Sequence, residues 1–511
     1  MPPSSPTPFD NARYQAAQVE GILDRVARCG TRLYLEVGGK LLKDQHAARV
    51  LPGFDPDVKI RSLQCLADKL EILFCVNAKD LQAGRIRGDF GMTYYDATLR
   101  TLDDLKAADL PVTAVIITRY RGQEVADMLK RRLTNRGTRV FLHRDVPGYP
   151  HDVLRVASAE GFGINDYVPT RQPLVVVAGA GPGSGKIETA LQQMWHDQAA
   201  GRASGFAKWE TFPVWDLAPA HPLNLAYEAA TADLRDKNLI DPFHLEAYGV
   251  SATNYNRDIE HFPVLRALLD RLHGAGCALP RYRSPTDMCI NRCSVGIVDE
   301  AAIIAASNQE IIRRYLRYRW ERVIGRGRDE TVEVSRELMR AGGLEVEHRP
   351  VVVPARQAAE AARQDPRKGH RGAWCGAAMQ LPDGSIVTGS NSPLLYSTAA
   401  AVFNAVKRLA GIQDNLPLLS SLAIEHMVRL ESQVLGGSSE CLDIGQALKA
   451  LSIAAAYNPA AEACFEQLPL LRRCELHMTH LPTEGDQRVL RQLGIMFTTD
   501  ALLAPGDDLY A

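Results

Sequence analysis

Residues 174–186 read LVVVAGAGPGSGK, and this stretch decides how the rest of the chain is interpreted. The apolar, β-branched run at its start predicts a buried strand. The glycines that follow predict a tight turn, and Lys186 stands where a helix would begin. Such a turn lets successive backbone N–H groups point into one concavity, to which the helix N-terminus adds partial positive charge. The stretch therefore predicts a phosphate-binding loop.

The loop departs from the P-loop of nucleoside triphosphatases at both ends. Ala180 takes the place of the first glycine, and Ile187 takes the place of the hydroxyl residue that normally holds Mg²⁺. A hydroxyl from Thr189 or a group from elsewhere would have to replace it. A tight turn that binds nothing is the alternative. We expect cofactor contacts from five residues of the stretch and from one residue after it: Gly181, Gly183, Ser184, Gly185, Lys186 and Thr189.

Helical and extended patterns alternate on the N-terminal side of this loop. Predicted strands alternate with predicted helices, which is typical of parallel sheets with right-handed crossovers. The strands fall at residues 32–37, 71–77, 112–118 and 138–143, and the helices at 11–28, 60–69, 102–107 and 123–135. The strand of the loop then begins a second α/β unit.

The length of 511 residues suggests about three domains. We expect an α/β fold of two Rossmann-like or P-loop-like parallel-sheet units, at residues 1–168 and 169–343. A smaller C-terminal domain, α+β or mostly helical, would occupy residues 344–511. Its signals are a hairpin with an Asp-Gly turn near residues 377–389 and alanine-rich helices at 397–409 and 445–456. Alanine-rich helices suit close packing, so we expect a homo-oligomer.

The composition narrows the class of partner and the compartment. A formal net charge of −1 and a pI near 6.9 argue against a broad surface for nucleic acid or for an anionic membrane. The N-terminus lacks the layout of a signal peptide, and no apolar run is long enough to span a bilayer. Ten scattered cysteines in such a chain indicate reduced thiols. We expect a cytoplasmic protein whose partner is a small anionic metabolite.

Residues 205–261 carry a high density of reactive side chains. Asn224, Tyr227, Glu228 and Thr231 would share one helix face, which suits a ligand pocket or a solvated surface equally. Candidate catalytic residues are Lys186, His221, Glu228, Asp233 and His244, and candidate Mg²⁺ ligands are Glu210, Glu228 and Asp233. Candidate substrate contacts are Lys40, His46, Arg49, Asn224, Asn256, Arg257 and Asp287.

Three functions fit this pattern. The first is transfer of a phosphoryl group from ATP or GTP with Mg²⁺, or ligation, on a small anionic metabolite, with Lys186 stabilising the transferred group. The second is an enzyme that binds a phosphate substrate or a dinucleotide without phosphoryl transfer, which Ala180 and Ile187 favour. The third is a non-catalytic nucleotide sensor that changes its assembly state.

Long stretches of the chain resemble an uncharacterised bacterial family, domain-of-unknown-function family 1846. They are LYLEVGGKLLKDQHAARVLPGFDP (residues 33–56), GPGSGK (181–186), KWETFPVWDL (208–217), HPLNLAYEAATADL (221–234), IDPFHLEAYG (240–249), NYNRDIEHFPVL (254–265) and SPTDM (284–288). The resemblance runs nearly from end to end and is weaker in the terminal region. It adds no activity, substrate or cofactor to the expectations drawn from the residues.

Overall fold

The computed structural model describes residues 7–87, 92–110, 112–273, 277–279, 281–434 and 441–502. The chain forms two compact units, Met1–Asn308 and Gln309–Ala511. No helix in these described ranges is both long enough and apolar enough to cross a membrane.

The first unit contains eleven strands among its described residues. In chain order they are β1 (Arg32–Val37), β2 (Leu70–Asn77), β3 (Ile86–Arg87), β4 (Met92–Thr93), β5 (Val112–Thr118), β6 (Val140–Leu142), β7 (Leu174–Gly179), β8 (Ser204–Trp209), β9 (Asn238–Ile240), β10 (Thr253–Tyr255) and β11 (Cys289–Ile290). Seven of them form one sheet in the order β11-β8-β1-β7-β2-β5-β6, and every neighbouring pair is parallel.

Helices connect these strands and cover both faces of the sheet. They are α1 (Asn11–Arg28), α2 (Gln45–Val50), α3 (Val58–Gln64), α4 (Ala78–Gln82), α5 (Tyr94–Ala107), α6 (Glu124–Asn135), α7 (Val153–Val156), α8 (Lys186–Ala199), α9 (Pro222–Ala230), α10 (Pro242–Tyr248), α11 (Asn256–Leu272), α12 (Pro285–Met288) and α13 (Glu300–Val323), the last of which continues into the second unit. Leu35 and Val176 pack on the face covered by α1, α3, α5 and α6, whereas Tyr34 and Val177 pack on the face covered by α8 and α11. Burial on both faces explains why the central strands are apolar throughout.

The expectation of two separate parallel sheets is wrong. β7 lies between β1 and β2, and β8 lies on the other side of β1, so strands from both predicted α/β units alternate in a single sheet. The reason is physical: periodicity reports which faces of a strand are buried, and it carries no information about which strands become neighbours. The α/β class and the parallel pairing themselves are confirmed.

The second unit contains a mixed sheet of four strands in the order β13-β12-β14-β15. These are β12 (Gly376–Gln380), β13 (Ile386–Ser390), β14 (Glu475–Met478) and β15 (Met496–Thr499), and the first two form the predicted hairpin. Its helices are α14 (Asp329–Ala341), α15 (Val352–Ala362), α16 (Ser397–Ala410), α17 (Ser421–Arg429), α18 (Ile444–Ala455), α19 (Pro459–Phe465) and α20 (Glu484–Leu493).

Candidate functional site

Strand order places a crevice between β1 and β7. The chain leaves β1 towards β2 on one side, and it leaves β7 towards β8 on the other side. Where two adjacent parallel strands send their connections in opposite directions, a crevice opens at their carboxyl ends, and open α/β sheets bind ligands there. The loop after β7 lies at this point, so topology and sequence indicate the same place.

The glycine loop, residues 179–186, can be built only with glycine at key positions. Gly183 and Gly185 have φ angles of +70° and +87°, which side chains disfavour. A Cβ on Gly185 would also stand 2.7 Å from Cγ2 of Thr118. Gly185 caps α8, whose first turn has backbone N–H groups without partners inside the helix. These N–H groups and the helix dipole favour an anion at this position.

Neighbouring strands hold the loop in this shape. Thr118, the last residue of β5, donates its hydroxyl to the carbonyl of Ser184 at 2.8 Å. Asn77, the last residue of β2, donates its side-chain amide to the carbonyl of Gly183 at 3.1 Å. Two strand ends thus fix the carbonyls of the loop before any ligand binds, which reduces the entropy lost on binding.

Lys186, the last residue of the loop, belongs to a group of polar side chains with Ser184 of the loop and Glu36 of β1. The Lys186 ammonium lies 3.6 Å from one carboxylate oxygen of Glu36 on β1. The second oxygen of Glu36 and the hydroxyl of Ser184 make no hydrogen bond within the described residues, although the two side chains belong to residues only 5% and 2% exposed. Buried polar atoms normally have partners. An ammonium has three donors, so Lys186 can contact Glu36 and a further anion together.

A second charged group, the lysine–carboxylate cluster, comprises Glu36, Lys208, Glu210 and Asp258. Glu36 and Lys208 are register partners on β1 and β8. The Lys208 ammonium lies 2.9 Å from Glu210 and forms a closer ion pair with Asp258. All of these side chains are mostly buried at the carboxyl edge of the sheet.

The cluster is electrostatically coupled. Burial lowers the pKa of Lys208, but the carboxylates of Asp258, Glu210 and Glu36 outweigh it and raise that pKa well above its ordinary value. Burial raises the pKa of Glu210, and the attraction of Lys208 offsets this only in part. Lys208 is therefore a permanent cation, whereas Glu210 holds a proton more readily than an ordinary glutamate does.

Aromatic rings form a wall beside the cluster. Tyr227 stacks on Phe212 with ring centroids 4.9 Å apart, and His46 packs edge-on against Tyr227 at 5.1 Å. The ring centroid of Tyr255 lies 5.7 Å from that of Tyr227. Burial, and then the charge of Glu210, raise the pKa of Tyr227, which places this wall near the cluster. Of the predicted substrate contacts, His46 belongs to this wall.

Lys40 lies shortly before α2, and His46 and Arg49 lie within α2. Lys40 and His46 both lower the pKa of Asp44, after Lys59, and together they outweigh the effect of burial on that carboxyl. Arg49 lies in the last turn of α2, one turn after His46. The carboxylate Asp44 is thus an internal partner for cations that the sequence assigned to a substrate.

Several other predicted site residues hold the local chain together. Asn224 is buried and donates to the carbonyls of residues 214, 217 and 218. His221 caps α9 by accepting from the N–H of Leu223, and Glu228 accepts from the N–H of Asn238. Asn256 accepts from the N–H of residue 237, and Arg257 pairs with Asp236 at 3.2 Å. Asp233 is exposed in a short 3₁₀ turn.

His244 and Asp287 form a separate cluster with Ser284. The Ser284 hydroxyl lies 2.9 Å from Nδ1 of His244, and an Asp287 oxygen lies 3.8 Å from the same nitrogen. A catalytic triad needs the hydroxyl and the carboxylate on opposite ring nitrogens. Asp287 also accepts from the Tyr248 hydroxyl at 2.7 Å. This geometry ties α10 to α12 and does not activate a nucleophile.

The predicted Mg²⁺ ligands do not form a preformed metal site. No three His, Cys, Asp or Glu side chains in the part of the chain that the structure describes are grouped to hold a metal ion. Glu210 pairs with Lys208 instead, and Glu228 accepts a backbone N–H. Thr189, the candidate replacement for the missing loop hydroxyl, is buried, with its hydroxyl 3.5 Å from the Cys75 thiol.

Sequence reasoning missed Glu36, Lys208 and Asp258 as site residues. A signal was present in two of them, because Glu36 interrupts an apolar strand and Lys208 lies in the mostly apolar run of β8, two residues before Glu210. Charged residues on an otherwise buried strand need partners or a ligand. Asp258 lies in the first turn of α11, and only the fold brings it to Lys208.

Comparison with known proteins places the chain in a family. The family profiles described as Domain of unknown function DUF1846, N-terminal and C-terminal, match residues 7–343 and 347–509. The chain belongs to the DUF1846 family. Relatives include a UPF0371 protein of Clostridium tetani, 44% identical, and one of Clostridium botulinum strain Eklund 17B, 43% identical, each aligned over 98% of this chain and 99% of the relative. The resemblance noted from the sequence is thus confirmed, and DUF1846 membership extends over both units.

Proposed function

We propose that this DUF1846 protein is an enzyme that binds a phosphate compound at the glycine loop and performs acid–base chemistry on it. The observation that carries the proposal is the arrangement around Lys186. The N-terminus of α8, the Lys186 ammonium and the unpartnered hydroxyl of Ser184 lie together at the carboxyl edge of a parallel sheet. Each of the three groups favours an anion.

The lysine–carboxylate cluster supplies the chemistry in this proposal. Glu210 is the candidate proton donor or acceptor, because burial raises its pKa and it holds a proton more readily than an ordinary glutamate does. Lys208 is the candidate cation for charge that develops on an oxygen of the substrate. An isomerase or a lyase acting on a phosphate ester fits these roles.

Phosphoryl transfer from ATP or GTP with Mg²⁺ is the second candidate. The order of strand, glycine loop and lysine favours it. Ile187 follows Lys186, and within the described ranges no three His, Cys, Asp or Glu side chains are arranged to hold a metal ion. A Mg²⁺ ion would then be held by one carboxylate together with the phosphates. Dependence on Mg²⁺ therefore separates the two candidates.

The test is thermal unfolding with inorganic phosphate, an alkyl phosphate, ATP, GTP, ADP and NAD, each with and without Mg²⁺. A ligand at 100 times its Kd stabilises a protein by about 2.7 kcal/mol. We expect stabilisation by phosphate compounds without Mg²⁺, its loss in Lys186→Ala, and its retention in Lys106→Ala, an exposed lysine in the last turn of α5. A nucleotide response that requires Mg²⁺ would instead support phosphoryl transfer. No response to any compound would overturn both.

A further inference from the structure

We propose that the ligand of the glycine loop carries a second anionic group, which binds in an open cleft beside the loop. The arginine cleft is lined by Tyr120, Arg121, Gly122, Arg144 and Asp145 and has a volume of about 510 Å³. A cleft of this size can accept part of a small metabolite. The inference rests on the proposed function and narrows its substrate class.

The arginine cleft lies at the same edge of the sheet as the glycine loop. Tyr120 and Arg121 follow β5, and Arg144 and Asp145 follow β6, so both segments leave the carboxyl ends of parallel strands. Thr118 ends β5 and contacts the loop directly through its hydrogen bond to Ser184. Arg121 is three residues further on, so its Cα lies within roughly 11 Å of the Cα of Thr118.

Charged residues between the glycine loop and the arginine cleft interact electrostatically. Burial raises the pKa of Tyr149, the carboxylates of Glu188 and Glu36 raise it further, and Arg119 lowers it. Tyr149 thus lies near Glu36 on β1, the first turn of α8 and the strand end that leads into the cleft. Glu188 in turn lies near Arg119 and Asp145. The loop and the cleft are thus electrostatically coupled through Tyr149 and Glu188.

Cations predominate in the cleft. Arg121 donates to Asp145 at 2.6 Å, and a guanidinium has five N–H donors, so others stay available. The side chain of Arg144 forms no hydrogen bond or ion pair with any described residue. Its charge opposes the rise in the pKa of the neighbouring Tyr120 that the hydrogen bond to Asp127 causes. Two arginines around a single carboxylate suit bidentate recognition of a phosphate or a carboxylate. The ligand class is a phosphate ester with a second anionic group a few bonds away.

Isothermal titration calorimetry with phosphate esters of different length tests whether a second anionic group contributes to binding. The two-ended probes are the bisphosphates of propane-1,3-diol and hexane-1,6-diol, and 6-(phosphonooxy)hexanoate, whose second end is a carboxylate. The control is n-hexyl phosphate, which has an anionic group at one end only. We expect at least one two-ended probe to bind ten times more tightly than hexyl phosphate. Arg121→Gln combined with Arg144→Gln should remove this advantage and leave the affinity for hexyl phosphate unchanged.

Matched variants separate this inference from the proposed function. Arg136→Gln removes an exposed arginine that, like Arg121, pairs with an aspartate but lies before β6, and it should leave all affinities unchanged. Lys186→Ala should weaken every probe. An advantage that survives in the double arginine variant, or that the wild-type protein lacks, overturns the second site alone. Hexyl phosphate binding that is absent, or insensitive to Lys186→Ala, overturns the proposed function.

Discussion

The N-termini of two helices, α8 in the first unit and α18 in the second, differ in whether a side chain of the protein supplies an anion to them. At α18, the carboxylate of Asp486 accepts from the N–H of Ile444 at 3.0 Å and from the hydroxyl of Thr398 on α16 at 3.1 Å. At α8, a glycine caps the helix, and the nearby Ser184 hydroxyl has no partner among the described residues. The second unit thus satisfies its helix terminus with its own anion.

This difference teaches how to distinguish an internal anchor from a binding site. Asp486 is completely buried, and burial raises its pKa to about 6 even though three hydrogen bonds favour the charged form. Such a group connects α16, α18 and α20 and leaves no room for a ligand. The glycine loop lies instead at the carboxyl edge of a parallel sheet, where open α/β sheets bind ligands, and the hydroxyl of its Ser184 has no partner among the described residues.

The largest effect should follow from removing the internal anion. Asp486→Ala leaves the buried N–H of Ile444 and hydroxyl of Thr398 without an acceptor, and each costs about 1–3 kcal/mol. We expect a loss of roughly 2–6 kcal/mol in the stability of the second unit, measured by urea unfolding. Asp486→Asn keeps an acceptor oxygen and should lose less. Equal stability of wild type and the alanine variant would show that Asp486 is no anchor.

Closing the glycine loop sterically should give the next effect. In Gly185→Ala the left-handed backbone costs about 1–2 kcal/mol, and the clash with Thr118 adds about 1–3 kcal/mol. Stability should fall, and stabilisation by phosphate compounds should disappear. Gly201→Ala is the matched control, because Gly201 has φ +70° but open space around it. If both variants retain the phosphate response, the loop is not the binding site.

The pH dependence of the second unit should reveal the raised pKa of Asp486. Between about pH 4 and 6 the folded state holds a proton on Asp486 that the unfolded state has released, so rising pH favours unfolding. A shift from 3.8 to about 6 corresponds to about 3 kcal/mol. Relative to Asp486→Asn, the wild-type protein should lose this stability between pH 4 and 7. Parallel stability curves for the two proteins would contradict the assignment.

The smallest effect should come from the acid in the first turn of α8. Burial raises the pKa of Glu188 to about 7, with Arg119 opposing and Asp145 adding to the shift. Sulfate keeps its charge over this range, so tighter sulfate binding at pH 6 than at pH 8 reports the neutralisation of Glu188. We expect a change of roughly two- to fivefold, typical of a partly screened charge. The pH dependence should vanish in Glu188→Gln.

Local features of the fold could be predicted from the sequence. The apolar run of β7, the glycines after it and the helix of α8 are encoded within residues 174–199, and the Asp-Gly turn specifies the β12–β13 hairpin. β11 was missed because two paired residues leave no periodic signal. The order of strands is set by burial of whole faces, and no local pattern records it.

The candidate site was predictable only where one segment supplies it. Lys186 and Ser184 follow from the glycine loop, but Glu36 comes from a strand about 150 residues earlier. Asn224 and His221 show the converse error. Their polar side chains suggested a pocket, whereas they satisfy backbone groups of an irregular segment, which the sequence does not distinguish from ligand contacts.

Because β7 lies between β1 and β2, the first unit cannot be divided between residues 168 and 169 without dividing its sheet. A fragment that ends at residue 168 would keep β1 and β2 but lack the strand that separates them, and it would expose two unsatisfied edges. Neither half on its own contains the complete sheet. If the two halves were produced as separate polypeptides, they would have to associate into one sheet before the crevice between β1 and β7 could form.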